Sequence, residues 1–167
     1  MLDDLRVWVV DTSSLIQIRQ AGISQARQAE VFEALTLLAT TGRLVFPQQV
    51  REELAWGEAE HPNDVALSWA RKVRDDAERV ADLGTVQRVL ARAPTLIDAN
   101  STRDQADPYV IALAIDTQSL GGVSILSDDR RDRADKHGAP QKLSVATVAG
   151  LWDIPVVPLV GFILRFL

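Results

Sequence analysis

The sequence predicts an α/β domain with a central parallel sheet of four or five strands and helices on both faces, a three-layer α/β/α arrangement. Three observations predict it. Short apolar runs rich in β-branched residues, such as "LRVWVV" (5–10) and "VSILS" (123–127), read as strands buried on both faces, as in parallel sheets. Segments of helical period lie between such runs, so strands and helices alternate along the chain. The length of 167 residues suits one domain spanning 1–167, and 47% apolar with 25% charged residues is a soluble globular profile.

Each element has its own signal. After the strand at 6–10, "SQARQAEVFEALTLLATTG" (24–42) spaces Ala26, Ala29, Phe32, Leu35 and Leu38 as one helix face and ends near Gly42. "RLVF" (43–46) is a short strand, and Pro47 opens the helix "PQQVREELAWGEAE". "HPND" breaks the chain before an amphipathic helix over 65–84, with Leu67, Ala70, Val73, Ala77 and Val80 on one side. A short helix at 85–92 precedes "TLI" (95–97), expected as the third strand. "DPYVIALAIDTQSLGG" (107–122) is an apolar helix ended by paired glycines, and 123–127 is the fourth strand. "SVATVAGLWD" (144–153) is a short helix, 155–159 a last strand, and a short terminal helix follows.

Several classes are excluded. The chain has no cysteine, so disulfides, thiolate nucleophiles and cysteine–zinc sites are impossible. His61 and His137 are isolated and make no zinc spacing. No G-x-S-x-G elbow and no phosphate-cradling glycine motif appears. Asp3, Asp4 and Arg6 interrupt the N-terminus before any signal-peptide run develops. The apolar C-terminus is too short to span a bilayer and is broken by Pro155 and Pro158, so no membrane association and a cytoplasmic location are expected. A net charge of −5 argues against broad attraction to nucleic acid while leaving room for a local basic strip.

Acids stand at the ends of these elements, where open parallel sheets bind ligands. The first strand runs into Asp11, and the fourth delivers Asp128 and Asp129. Glu53 lies at the margin of the buried stripe of its helix, beside Leu54. Asp107 begins an otherwise apolar helix. Singly, each has a bland explanation: Asp11 before "TSS" and Asp107 before Pro108 suit helix caps, Glu53 a solvated helix position, and Asp128–Asp129 a polar turn. Caps do not explain why such acids should point at a common place. Two carboxylates ~4 Å apart repel by roughly 1 kcal/mol in water and roughly 4 kcal/mol at an effective dielectric of about 20. Hard divalent cations, Mg²⁺ or Mn²⁺, relieve that repulsion, and the chemistry such a site supports is phosphoryl-ester cleavage.

The sequence resembles the PIN-domain family, the nuclease fold of VapC-like toxins of type II toxin–antitoxin modules. "VVDTSSL" resembles the family's first strand ending in an aspartate with a hydroxyl or amide residue two positions on. "FPQQVREEL" resembles its proline-led helix with an acid before leucine, "ADPYVIALA" the helix begun by a central aspartate, and "ILSDDRR" the strand ending in Thr/Ser-x-Asp. The matches run from residue 7 to about 131, with a similar C-terminus in "VATVAGLWDIPVVPL". The resemblance implies strand order 3-2-1-4-5 and a metal-dependent endoribonuclease. Its metal ligands and catalytic residues would be Asp11, Glu53, Asp107 and Asp129, with Asp128 a second candidate for the fourth place. Ser13 and Ser127 would support them from behind. It also implies an RNA substrate, a small antitoxin partner and a homodimer. "RRDR" (130–133) with Lys136 and Arg103 would add a basic rim, giving Arg103, Arg130, Arg131 and Arg133 as RNA contacts. Any one of these arginines alone reads as solvated surface. Trp56, shortly after Glu53, is the tryptophan expected near the site, whereas Trp8 and Trp69 are expected in the core. Two alternatives stand beside this reading. One is a non-catalytic PIN-like RNA-binding or regulatory protein. The other is an aspartate phosphoacceptor, which wants a lysine at the end of a late strand that none of Lys72, Lys136 and Lys142 clearly supplies.

Overall fold

The computed structural model describes residues 5–167, Pro140 by its backbone alone; Asp3 and Asp4, invoked above, lie outside them. Five strands form a wholly parallel sheet: β1 (Val7–Val10), β2 (Leu44–Pro47), β3 (Glu78–Arg79), β4 (Val123–Leu126) and, after the hairpin β5 (Arg133–Ala134) and β6 (Pro140–Lys142), β7 (Val156–Val157). The spatial order is β3-β2-β1-β4-β7, so the first strand is central, as expected. Apart from Val7, every residue of β1, β2 and β4 is buried, which is why these strands read as apolar runs, broken only by Ser124 in β4.

The helices are α1 (Thr12–Gln20), α2 (Gln25–Thr40), α3 (Gln48–Trp56), α4 (Val65–Lys72), α5 (Arg74–Ala77), α6 (Leu83–Arg92), α7 (Asp107–Gln118), α8 (Val145–Gly150) and α9 (Leu159–Phe166). They cover both faces of the sheet. On one face, Trp8 of β1 packs edge-on against Phe162 and Phe166 of α9, at centroid distances of 5.5 and 5.8 Å. Phe46 of β2 meets Trp69 of α4 at 5.8 Å, and Trp69 donates its indole N–H to Thr36 Oγ1 of α2. Across the sheet, α7 packs along β1, β2 and β4, with α6 and α8 beside it. Ala112 and Ala114 on α7 are fully buried, and their small side chains permit that close approach. Trp8 and Trp69 are core residues, 1% and 5% exposed.

Two expectations need correction. The third strand is not 95–97: Pro94 opens a single 3₁₀ turn, Pro94–Leu96, with Leu96 buried. The sheet's edge is instead Glu78–Arg79, inside the segment expected to be one helix over 65–84. That helix ends at Lys72, resumes as α5 and stops at Ala77, after which Glu78 and Arg79 pair with Phe46 and Pro47. A short, charged strand protects an open sheet edge, and Arg51 clamps Glu78 in a two-pronged contact of 2.6 and 3.0 Å. The antiparallel β5–β6 hairpin was not expected either; Gly138, at φ +81°, and Asp135, which accepts the N–H groups of His137 and Ala139, shape its turn. Among the described residues, no helix is long and apolar enough to cross a membrane.

Candidate active site

The parallel register of β1 and β4 places Val10 beside Leu126, so the residues that leave the two strands, Asp11 and Ser127, emerge side by side. Asp11 N–H donates to the Leu126 carbonyl at 3.0 Å. Its carboxylate does not cap α1; Oδ2 instead accepts the hydroxyls of Ser13 and Ser127, each at 2.7 Å. Those hydroxyls lie 3.1 Å apart and in turn accept the backbone N–H groups of Asp128 and Asp129. Asp11 is thus held rigidly, 2% exposed, at the floor of a cleft.

β2 and its proline-led turn launch α3, which carries Glu53 to the same edge. Glu53 Oε1 accepts the Ala106 N–H at 2.5 Å, so an acid from α3 satisfies a free amide at the start of α7. Asp107 makes no cap of its own; its Oδ2 accepts an N–H from Lys142 Nζ at 2.7 Å. Asp129 Oδ2 accepts the Val145 N–H at 3.0 Å and stands 3.6 Å from the same ammonium. Asp11, Glu53, Asp107 and Asp129 therefore line one cleft of ≈ 510 Å³ with Ser13, Gln105 and Lys142.

Asp128 also lines this cleft, but its Oδ2 accepts the Ser14 hydroxyl at 2.6 Å and the Leu159 N–H at 3.1 Å. It fastens the end of β4 to α1 and to the first turn of α9. Asp128→Ala should lower stability by about 1–3 kcal/mol, because two buried donors lose their acceptor, and should leave cation affinity nearly unchanged. Urea midpoints and Mn²⁺ titration check this; a loss of affinity at unchanged stability would make Asp128 the fourth ligand.

Burial foremost, then the nearby Asp107 carboxylate, raises the Asp11 pKa to about 7, against the opposing Ser127 and Ser13 hydrogen bonds. Burial and the Asp11 charge raise Glu53 to about 8. Burial also raises Asp107, although the Lys142 ion pair works against it. For Lys142, burial opposes the charge, but Asp107 and Asp129 outweigh it and the pKa rises. Three acids that resist ionisation around one trapped ammonium make a site that demands positive charge.

The donor set fits a hard divalent cation: carboxylates on rigid elements, with hydroxyls and backbone amides orienting them. The acids are spread further apart than the sequence suggested. Among the described residues, no three His, Asp or Glu side chains close into a metal-ligating group. Oδ2 of Asp107 and Oδ2 of Asp129 face the Lys142 ammonium instead.

Arg130, Arg131 and Arg133 are exposed where the chain leaves β4 and enters the hairpin, and Arg133 is close enough to Asp107 and Lys142 to influence both charges. Arg103 is exposed, with its guanidinium 4.9 Å from the ring centre of Trp56, itself 38% exposed at the end of α3. Lys142 is the residue that sequence reasoning missed. It comes from a three-residue strand with no periodic signal, and only the hairpin brings it to acids from α7 and β4.

A family model described as "Domain of unknown function (DUF4411)" matches residues 8–163. No curated protein matches the chain.

Proposed function

The chain belongs to the DUF4411 family, whose description assigns no activity, and we propose that it is a metal-dependent ribonuclease of PIN-like type that hydrolyses RNA phosphodiesters. The observation that supports this most is the meeting of Asp11, Glu53, Asp107 and Asp129 from four separate elements in one cleft, the pKa values of Asp11, Glu53 and Asp107 being raised there. These four would hold Mg²⁺ or Mn²⁺. Bound there, the ion would activate a water and offset charge on the phosphate and the leaving oxygen. Ser13 and Ser127 fix the orientation of Asp11, and the Ala106 amide fixes Glu53. Arg103, Arg130, Arg131 and Arg133 would receive backbone phosphates, and the exposed face of Trp56 offers a base a stacking surface. Purified protein should cleave RNA with Mg²⁺ or Mn²⁺ and stop on chelation. Metal binding without cleavage would favour the non-catalytic alternative.

Arg130→Ala and Arg131→Ala should weaken RNA binding across all sequences and reduce the steepness of its salt dependence by about one phosphate contact each. Affinities measured at several salt concentrations check this. Altered cleavage at saturating RNA with unchanged affinity would move these arginines from binding to catalysis.

Lys142 gives some support to the phosphoacceptor alternative, which wants a lysine among its acids. It pairs with Asp107 rather than Asp11, however, and stands on a hairpin outside the parallel sheet. Labelling of Asp11 by a small phosphoryl donor such as acetyl phosphate would favour that reading over hydrolysis of RNA.

A free ribonuclease harms its host, which motivates the toxin assignment and a small antitoxin as partner. An inhibitor could place an arginine among the four acids, since a guanidinium binds carboxylates in two-pronged fashion, and grip helix α2 within the segment 24–41. The apolar groove between α2 and α4, lined by Phe32, Leu37, Val65 and Trp69, suits that grip. A neighbouring small gene whose product blocks cleavage would support the pairing; cleavage unaffected by every adjacent gene product would remove it. The homodimer implied by the family resemblance is a proposal for which sedimentation at micromolar concentration is the test; a monomer there would contradict it.

A further inference from the structure

We propose that one face of α1 is a base-reading wall of the cleft: Gln17 and Gln20 hydrogen-bond the edge of an unpaired nucleobase, so the cleft takes single-stranded RNA; this rests on the ribonuclease reading above. The cleft has two unlike sides. Its charged residues, Asp11, Glu53, Asp107, Asp128, Asp129 and Lys142, all stand outside α1. The face that α1 presents carries Thr12, Ser13, Ile16, Gln17 and Gln20, three or four residues apart along the helix and all uncharged. Arg19, the one charged residue of α1, pairs instead with Asp64 at 3.1 Å, outside the cleft.

Two glutamines on a solvated helix would mean little. Here Gln17 is half-buried, and neither its side-chain amide nor that of Gln20 hydrogen-bonds another described residue. Gln105, the third glutamine of the cleft, differs: its Oε1 accepts the Asp98 N–H at 3.0 Å, and its Nε2 donates to the Asp98 carbonyl at 3.1 Å. The helix beneath the two free amides is held firmly. Leu15 and Ile18 are buried in the core, and the Ser14 hydroxyl donates to Asp128. A side-chain amide offers both donors and acceptors, which match the mixed edge of a base, and it adds no charge to a cleft already crowded with acids. Ile16, half-buried on the same face, offers apolar surface to the ring. Only an unpaired base can present its pairing edge to such a wall.

Fluorescence anisotropy on labelled single-stranded oligo-A, oligo-C and oligo-U tests this, with the full chain carrying Asp11→Asn so that the RNA stays whole. The tightest and weakest of the three should differ by at least about 5-fold in affinity. Adding Gln17→Ala and Gln20→Ala should bring them within about 2-fold of one another and leave the salt dependence unchanged, because the phosphate contacts remain. Alanine is the best helix former, and circular dichroism confirms folding. Each single substitution should remove part of the difference, so either one suffices if the double variant fails to fold. Equal affinity for all three before the glutamines are changed, or a preference that survives both substitutions, overturns the proposal and leaves the nuclease reading intact. If the substitutions weaken binding to the same strand annealed to its complement as much as to the single strand, the amides meet the backbone rather than a base edge, and the proposal falls too. No binding of any RNA overturns both.

Discussion

Asp11→Asn should abolish RNA cleavage while making the metal-free fold more stable. The rate should fall on the order of 10³-fold, about 4 kcal/mol in the barrier, because the change removes the charge of the most deeply buried of the proposed metal ligands. Asparagine has nearly the same volume, and its Oδ1 can accept the hydroxyls of Ser13 and Ser127 that Asp11 Oδ2 accepts now. What disappears is a buried charge repelled by Asp107. At about pH 8 the variant should gain on the order of 1–3 kcal/mol, read from the urea midpoint at constant slope. Opposite movements of activity and stability separate a ligand from a structural residue. A variant that cleaves like wild type excludes Asp11 from the mechanism; one that loses activity and stability together reduces it to a packing role. In cells, expression of the wild-type chain alone should arrest growth, and Asp11→Asn should relieve the arrest. Harmless expression in the native host without an inhibitor would remove the toxin assignment and leave the nuclease.

The second large effect is a coupling between pH and cation binding. Asp11 and Glu53 have folded pKa values of about 7 and about 8, above the ordinary 3.8 and 4.5. From about pH 4 to 8 the folded chain therefore holds more protons than the unfolded chain, and its stability falls as pH rises through that window. Above about pH 8 both states are ionised and the slope vanishes. A divalent cation selects the ionised acids, so it releases protons on binding and binds more tightly as pH rises through 7 and 8. Without cation, the melting temperature should fall between about pH 5.5 and 8.5. At a Mg²⁺ concentration near 100 times its Kd the stabilisation is about 2.7 kcal/mol, a rise of roughly 5–10 °C for a chain of this size. At fixed Mg²⁺ that rise should be largest at the alkaline end and nearly absent at pH 5.5, and Asp11→Asn should flatten both dependences. A Mg²⁺ shift of equal size at every pH would place the cation away from these carboxylates.

Much of this was legible in the sequence, for a physical reason. Strands buried on both faces leave continuous apolar runs, and an acid at the end of such a run stands out. Asp11 after "VWVV" and the acids after "VSIL" were visible on those grounds, and Asp107 was visible because it opens an otherwise apolar helix. Edge elements leave no such mark. Glu78–Arg79 is two charged residues inside a helical pattern, and only its pairing with Phe46 and Pro47 makes it a strand. "TLI" carried β-branched residues but follows Pro94 and lies outside the sheet. Adjacent Asp128 and Asp129 could not be told apart in sequence, because tertiary donors separate them: Ser14 and Leu159 engage one, Val145 and Lys142 the other. Lys142 itself depends on a hairpin that no periodicity announces.

The most direct test of the central claim is a paired cleavage assay on one single-stranded RNA, with wild type and Asp11→Asn, in Mn²⁺ and in excess chelator, with the product ends identified. The account predicts cleavage by wild type in Mn²⁺ alone, with ends left by attack of water: a phosphate on one strand and a free hydroxyl on the other. Cleavage that persists in chelator or in Asp11→Asn, or products ending in a 2′,3′-cyclic phosphate from attack by the RNA's own hydroxyl, would contradict it.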